Sequence, residues 1–428
     1  MHTIQVVFMT VMVFFVIVTI HEWGHYYFAK RAGILVREFA IGFGPKLFSI
    51  KRGETRYTLR LIPAGGFVRM AGEDPELVEV QPGQTVAVRL NEDLVTRIYL
   101  DRLDERANVI RGEVEAIDIE KNLTIALETD GIIEKYRVHP QALMIAKGRE
   151  TQIAPIDRQF GSKSVWARVL AIAAGPIMNF VLAFVLFFAY FQMAGVPLDN
   201  PDHLLVAEVV DGKPASKTDL KQYDVIDSVN GVKIGTDYDK MIDVIAKSPN
   251  KSITLTVIRD GKTISIPMTP LPDPETGDGK VGISAAYHYP TRDAGFMETF
   301  PLTAKAMKNM TIAIFDGFKK LILGDFKLDD LGGPVRTAQV TGQIAAQGFS
   351  ELTKWTAILS LYLGIFNLLP IPALDGSRLL FLLLEALRGR PIDPNRESMV
   401  HFIGFAMLML LMLAVTYNDI LRLVRGEQ

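Results

Sequence analysis

Charged positions are absent from four stretches of the chain, residues 3–20, 169–198, 355–374 and 400–418. Each reaches or nearly reaches the ~20 apolar residues that a helix needs to cross a ~30 Å hydrocarbon core. They predict a multi-pass α-helical membrane protein with four spans. The helix of the first run is expected to extend through residues 21–29, up to Lys30. It has no basic leading segment and no small-residue cleavage site, so it reads as a span and not as a signal peptide.

Between the spans the pattern changes. Residues 85–90, 96–100, 109–119, 123–127 and 132–138 alternate β-branched and polar positions. That predicts several short strands in a small β-rich insertion over 73–160. Over 198–272 the order is a strand, an Asn230-Gly231 turn, a helical stretch at 238–247, and a hairpin around Asp260-Gly261. This order is similar to a PDZ domain, an α+β module that takes up extended peptides along a sheet edge. Thr218-Asp219-Leu220 and Tyr223-Asp224 stand where bacterial PDZ sequences carry Ala-Gly-Leu and Gly-Asp. Peptide capture and a steric filter over the membrane core both remain open readings. Residues 273–352 form an amphipathic linker expected on the outer membrane surface.

The flanking charges set an orientation. Lys30, Arg31, Arg37, Lys46, Lys51, Arg52, Arg56, Arg60 and Arg69 face only Glu38 and Glu54 in the loop after the first span. Positive residues stay inside, which places that loop and the 73–160 insertion in the cytosol and both termini outside. Composition agrees with a membrane assignment: 49% of residues are hydrophobic and the mean hydropathy is +0.21. A formal net charge of −2 argues against a nucleic-acid partner. With no cysteine in the chain, any metal must be held by His, Asp, Glu or Asn.

His21-Glu22-Trp23-Gly24-His25 supplies such a set at the inner end of the first span. At ~100° per residue the two histidines lie ~40° apart on one helix face, one turn from each other. That spacing lets both imidazoles reach one Zn²⁺, with Glu22 beside them to take a proton from a metal-bound water. Ionisable groups continuing an apolar span are costly there, roughly 2.5–3.5 kcal/mol for a charge at the bilayer centre, and mark functional positions.

A catalytic zinc site needs a third protein ligand and an open fourth position. The third apolar stretch ends in Asn367-Leu368-Leu369-Pro370-Ile371-Pro372-Ala373-Leu374-Asp375-Gly376. Pro370 and Pro372 interrupt the helix, and broken helices are tolerated at membrane depth only where protein or a wet cavity satisfies the backbone. Counting ~1.5 Å per residue from the outer ends, Asp375 reaches the depth of His21, toward the cytosolic side. Asp375 is therefore the expected third ligand, ahead of His401, around which no motif is built. Asn367 is a polar residue in an apolar span, suited to a substrate backbone or to a neighbouring helix. Gly175-Pro176 and Asn179 in the second span point to close helix packing. Gly42-Phe43-Gly44-Pro45 and Gly65-Gly66 flank strand-like residues 55–62, predicting a membrane-associated hairpin whose edge can hold an unwound substrate helix as an added strand.

These motifs carry a resemblance. HEWGH at 21–25, GFGP at 42–45, GGFVRMAGE at 65–73, AGPIMNF at 174–180 and NLLPIPALDG at 367–376 resemble the site-2 protease family of intramembrane metalloproteases. The match is to its bacterial branch, most similar to the type found in Gram-positive bacteria. The resemblance implies zinc held by His21, His25 and Asp375, Glu22 as catalytic base, and a substrate-binding role for Asn367. It also implies regulated intramembrane proteolysis of single-pass substrates in a bacterial cell membrane, namely trimmed anti-sigma factors and remnant signal peptides. It assigns nothing to the insertion. The expected organisation is a first span with the zinc motif (1–30), a hairpin region (31–72), the cytosolic insertion (73–160), a second span (165–197), an extracytoplasmic PDZ-like domain (198–272), the linker (273–352), a third span with the LDG motif and a following helix (353–388), and a fourth span (398–421). Two rivals stand beside it, a non-catalytic zinc-binding scaffold with PDZ-like peptide capture and a metal transporter. Glu22, which metal binding does not need, argues against the first. The scarcity of ionisable groups in the second and fourth spans argues against the second.

Overall fold

The computed structural model describes residues 2–73, 80–274, 276–323 and 332–425. They fall into two units, Met1–Tyr190 with Phe300–Gln428, and Phe191–Thr299.

The first unit opens with helix α1 (His2–Arg31). Gly33, at φ 74°, takes the left-handed conformation that closes a helix C-terminus and turns the chain into the next element. Strands β1 (Val36–Arg52) and β2 (Thr55–Met70) pair antiparallel, and they pair twice. Residues 46–52 lie against 55–60, whereas 38–41 lie between 56–59 and 66–69. Both strands therefore bend, β1 near Gly42–Pro45 and β2 near Pro63–Gly65, and the hairpin becomes four short segments with 66–70 on one edge. Gly42 (φ 89°) and Gly65 (φ 129°) carry backbone angles that other residues rarely adopt.

The insertion follows as β3 (Thr85–Asn91), β4 (Leu94–Tyr99), β5 (Ile110–Asp118), β6 (Thr124–Thr129), β7 (Ile132–Ala146) and β8 (Arg149–Gln152). The sheet order is β4-β3-β5-β6-β7-β8, and β4 also pairs parallel with β7. That second pairing closes five strands on themselves around Val86, Val88, Ile98, Ile125 and Leu127, with β8 outside the ring on β7.

Helix α2 (Val165–Ala194) carries Pro176 within it. After the second unit the chain continues in α4 (Phe296–Leu323), α5 (Pro334–Gln347), α6 (Phe349–Asn367), α7 (Asp375–Arg388) and α8 (Pro394–Arg425). Val13 and Ile17 of α1 pack with Leu182 and Leu352. Ala183 and Phe187 of α2 pack with Ile314 of α4 and with Ala357 and Leu361 of α6. Three described helices are long and apolar enough to cross a membrane: Val7–Arg31, Val165–Ala194 and Arg396–Arg422. Helix α6 has 19 residues, carries Glu351 and Lys354 in its first turns, and ends at Asn367. The apolar run 355–374 is thus helical only in part, because Pro370 and Pro372 cannot extend the helix.

The second unit contains β9 (Val196–Pro197), β10 (His203–Val209), β11 (Val225–Val229), β12 (Val232–Lys233), α3 (Tyr238–Ala246), β13 (Ile253–Arg259), β14 (Lys262–Met268), β15 (Leu271–Pro272), β16 (Gly279–Lys280), β17 (Ile283–His288) and β18 (Thr291–Arg292). Its main sheet runs β14-β13-β11-β10-β17, so it takes in a strand beyond residue 272. Asp237 accepts from the Lys240 amide and caps α3, whose Met241 and Ile245 enter the core with Leu204, Ile226 and Leu255. Each such side chain contributes roughly 1.5–3 kcal/mol by leaving water. Asp224 is buried and receives Nε and Nη2 of Arg259 at 2.6 and 2.7 Å. The residue before it, Tyr223, sits at φ 71°. That is the conformation a Gly-Asp pair supplies without strain, and a tyrosine adopts it at a cost of about 1–2 kcal/mol.

Candidate metal centre

The HEWGH motif lies in the C-terminal half of α1, and His21, Glu22 and His25 are all buried. Nε2 of His21 and Nε2 of His25 are 3.2 Å apart. Asp375, the first residue of α7, places Oδ2 at 3.3 Å from the first and 3.4 Å from the second. One donor atom from each residue falls within 4.8 Å of the others, across 350 residues of sequence.

The surroundings decide what these atoms can do. His25 Nδ1 faces the Ala171 carbonyl at 2.9 Å. A carbonyl only accepts, so Nδ1 carries the proton and the Nε2 lone pair points into the cluster. Asp375 Oδ2 is buried and receives no hydrogen bond. The His25 lone pair and the Asp375 carboxylate oxygen thus converge on one point beside His21 Nε2, where a cation fits. Two imidazoles and a carboxylate with a fourth direction open fit a catalytic zinc ion.

The loop carrying Asp375 leaves α6 at Asn367 and is held by its own backbone and by α8. Ile371 N donates to Leu369 O at 2.7 Å, and Leu374 N to Ile371 O at 3.1 Å. Ala373, at φ 75°, donates its amide to Nδ1 of His401 at 3.1 Å. His401 therefore steadies the aspartate loop and is not part of the three-residue cluster. These bonds answer the requirement that a broken helix at membrane depth find new partners.

One stripe of α2 shapes the other side. Ala171, Gly175 and Asn179 are spaced by four and share a helix face. Ala171 orients His25, and a Cβ on Gly175 would lie 2.2 Å from His25 Nε2. Asn179 is fully buried and its amide lies 3.2 Å from His21 Nδ1. Its sequence position suggested packing alone; the missed signal is a polar residue repeating at helical spacing with two small ones. The backbone oxygen of Asn179 accepts from Ser360 Oγ at 2.9 Å, which ties α2 to α6. On the hairpin side, Gly66 approaches so closely that a Cβ there would sit 2.7 Å from Glu22 Cγ. Arg378 of α7 pairs with Glu73 just beyond the hairpin.

These groups open into a cavity of about 1070 Å³. His21, Glu22, His25 and Asp375 line it together with Asn367 and the edge segment at Gly66. Most of its remaining wall is apolar, from α1, α5 and α6.

The comparisons with known proteins agree along nearly all of the chain. The family model described as Peptidase family M50 matches residues 9–411. A Bacillus subtilis protein named regulator of sigma-W protease RasP is 44% identical over 417 residues, covering 96% of this chain and 97% of its own. A Geobacillus kaustophilus protein named zinc metalloprotease RasP is 43% identical, covering 98% of each chain. A probable protease named eep from Enterococcus faecalis is 39% identical, covering 96% of this chain and 98% of its own.

Proposed function

The chain belongs to peptidase family M50 and is a zinc metalloprotease of the site-2 type, and from that premise we propose that His21, His25 and Asp375 hold the ion, that Glu22 is the catalytic base, and that the substrates are single-pass membrane proteins. The convergence of three buried donor atoms on one point beside Glu22 carries this reading.

Zinc, when bound, lowers the pKa of a coordinated water to about 7 and polarises a carbonyl. The protein's own groups do the rest. Glu22 takes the water proton and returns it to the leaving amine. Ala171 and Asn179 fix the two imidazoles, and the Gly175 and Gly66 approaches leave the donors no slack. Asn367 hydrogen-bonds the substrate backbone. The edge at 66–70 pairs with the peptide as an added strand, because a helical substrate hides its carbonyls until it is locally extended. The apolar cavity walls accept the flanking side chains.

The relatives carry names that refer to regulation of sigma-W and to zinc proteolysis. On that likeness, the proposed substrates are membrane-bound anti-sigma factors already trimmed outside, and remnant signal peptides. The proposed arrangement has four spans, α6 with its broken end serving as the third. Both termini and the Phe191–Thr299 unit face outward, and the catalytic residues lie toward the cytosol. The absence of cysteine makes that arrangement directly testable. In intact cells, Lys251→Cys should react with an impermeant maleimide, and Lys121→Cys only after permeabilisation. The reverse labelling would invert the topology. Mass analysis of products from a tagged single-pass reporter should place the cut within or beside its span.

A further inference from the structure

A second cluster of metal-binding side chains lies in the Phe191–Thr299 unit, far in sequence from the zinc motif. His203 begins β10 and His288 ends β17, and the two are direct cross-strand partners. Their rings stack with centroids 4.3 Å apart and planes 14° from parallel. Asp202, beside His203, sets one carboxylate oxygen 2.8 Å from Nδ1 of His203 and 2.8 Å from Nδ1 of His288. Among the described residues, only this group and the His21 cluster bring three such donor atoms within 4.8 Å of one another.

Strand register fixes this geometry. Asp202 N donates to the His288 carbonyl at 3.1 Å, so the backbone carrying the carboxylate is bonded to the strand carrying the second imidazole. The pairing continues outside the main sheet, where Pro197 and Val196 of β9 pair with Thr291 and Arg292 of β18. The three donors therefore sit where the chain enters the sheet and where it leaves. Two imidazole nitrogens and one carboxylate oxygen suit a borderline divalent ion such as Zn²⁺, Ni²⁺ or Cu²⁺ better than Mg²⁺ or Ca²⁺, which take oxygen ligands. Partial exposure of both histidines and the exposure of Asp202 leave the remaining coordination positions to water.

We propose that Asp202, His203 and His288 form a second divalent transition-metal site, which ties together the entering and leaving chains of the PDZ-like unit. It is separate from the proteolytic zinc and uses none of its residues.

The test uses full-length protein in detergent, stripped by chelator and re-equilibrated with Zn²⁺, with bound ions counted per chain. Wild type should hold one ion more than His203→Ala/His288→Ala, and the ion retained by the variant shows that its catalytic cluster is intact. His203→Gln, which keeps a polar side chain in place, should lose the same ion. Asp202→Asn should weaken that ion at least tenfold in a competition titration. Equal ion counts in wild type and in either histidine variant would overturn the proposal.

Discussion

The amide of Asn179 lies 3.2 Å from Nδ1 of His21, and the Asn179 Oδ1 atom is buried without a partner. With the amide's oxygen and nitrogen exchanged, Oδ1 faces Nδ1 of His21. Oδ1 then accepts the Nδ1 proton of His21, and Nε2 of His21 turns a lone pair toward Asp375 and His25. Outer partners of this kind are worth about 10–100-fold in metal affinity. Asn179→Leu should weaken zinc binding by that factor in a chelator competition. Asn179→Asp, which keeps an acceptor, should retain most of it. Equal loss in both variants would show that the amide donates instead.

The packing stripe on α2 predicts a sharper effect. Gly175→Ala places a methyl 2.2 Å from His25 Nε2, against a buried ring whose Nδ1 is tied to the Ala171 carbonyl. Zinc content and proteolysis should both fall below a tenth of wild type, with the helical circular dichroism unchanged. An active Gly175→Ala protein would mean that His25 does not occupy the described position.

The two histidines of the motif and Glu22 were legible because a helix brings i and i+4 together without help from the rest of the chain. Asp375 was legible because two prolines in an apolar stretch demand a reason. The contact of Asn179 with His21 was not, since 158 residues separate them and no local pattern names the partner. The double pairing of β1 with β2 escaped for a similar reason: the bends at Gly42–Pro45 and Pro63–Gly65 look like ordinary turns until the register is known. The β4–β7 pairing that closes the insertion is parallel and non-local, and alternation along a strand does not say which strand lies beside it.

Glu54 gives the fold a pH dependence. The carboxylate at the β1–β2 turn receives Arg158 Nη2 at 2.8 Å and Gln152 Nε2 at 2.9 Å, with Lys30 nearby. The Arg158 hydrogen bonds hold its pKa down at about 2, below the ordinary glutamate value near 4.3. A depressed folded value contributes stability that is present above the unfolded pKa and is lost as pH falls from about 4.5 toward about 2. Glu54→Gln should cost about 1 kcal/mol near neutral pH, since the pair remains partly in water. The difference from wild type should vanish near pH 2 in thermal unfolding. A difference constant with pH would remove the ion pair from the account.

Tyr223 offers a substitution in the opposite direction. Its left-handed backbone costs about 1–2 kcal/mol, and glycine removes that strain while adding some freedom to the unfolded chain. Tyr223→Gly should raise the unfolding midpoint of the Phe191–Thr299 unit by a few degrees. A lower midpoint would show that the exposed ring makes compensating contacts.

The central claim is that Glu22 does chemistry at a metal it does not hold. The most direct measurement compares wild type with Glu22→Gln in detergent, counting bound zinc and cleavage of a single-pass reporter in the same samples. The account predicts equal zinc in both and cleavage at least a thousandfold slower in the variant. Equal cleavage by both, or no cleavage by either across several reporters at full zinc occupancy, would contradict it.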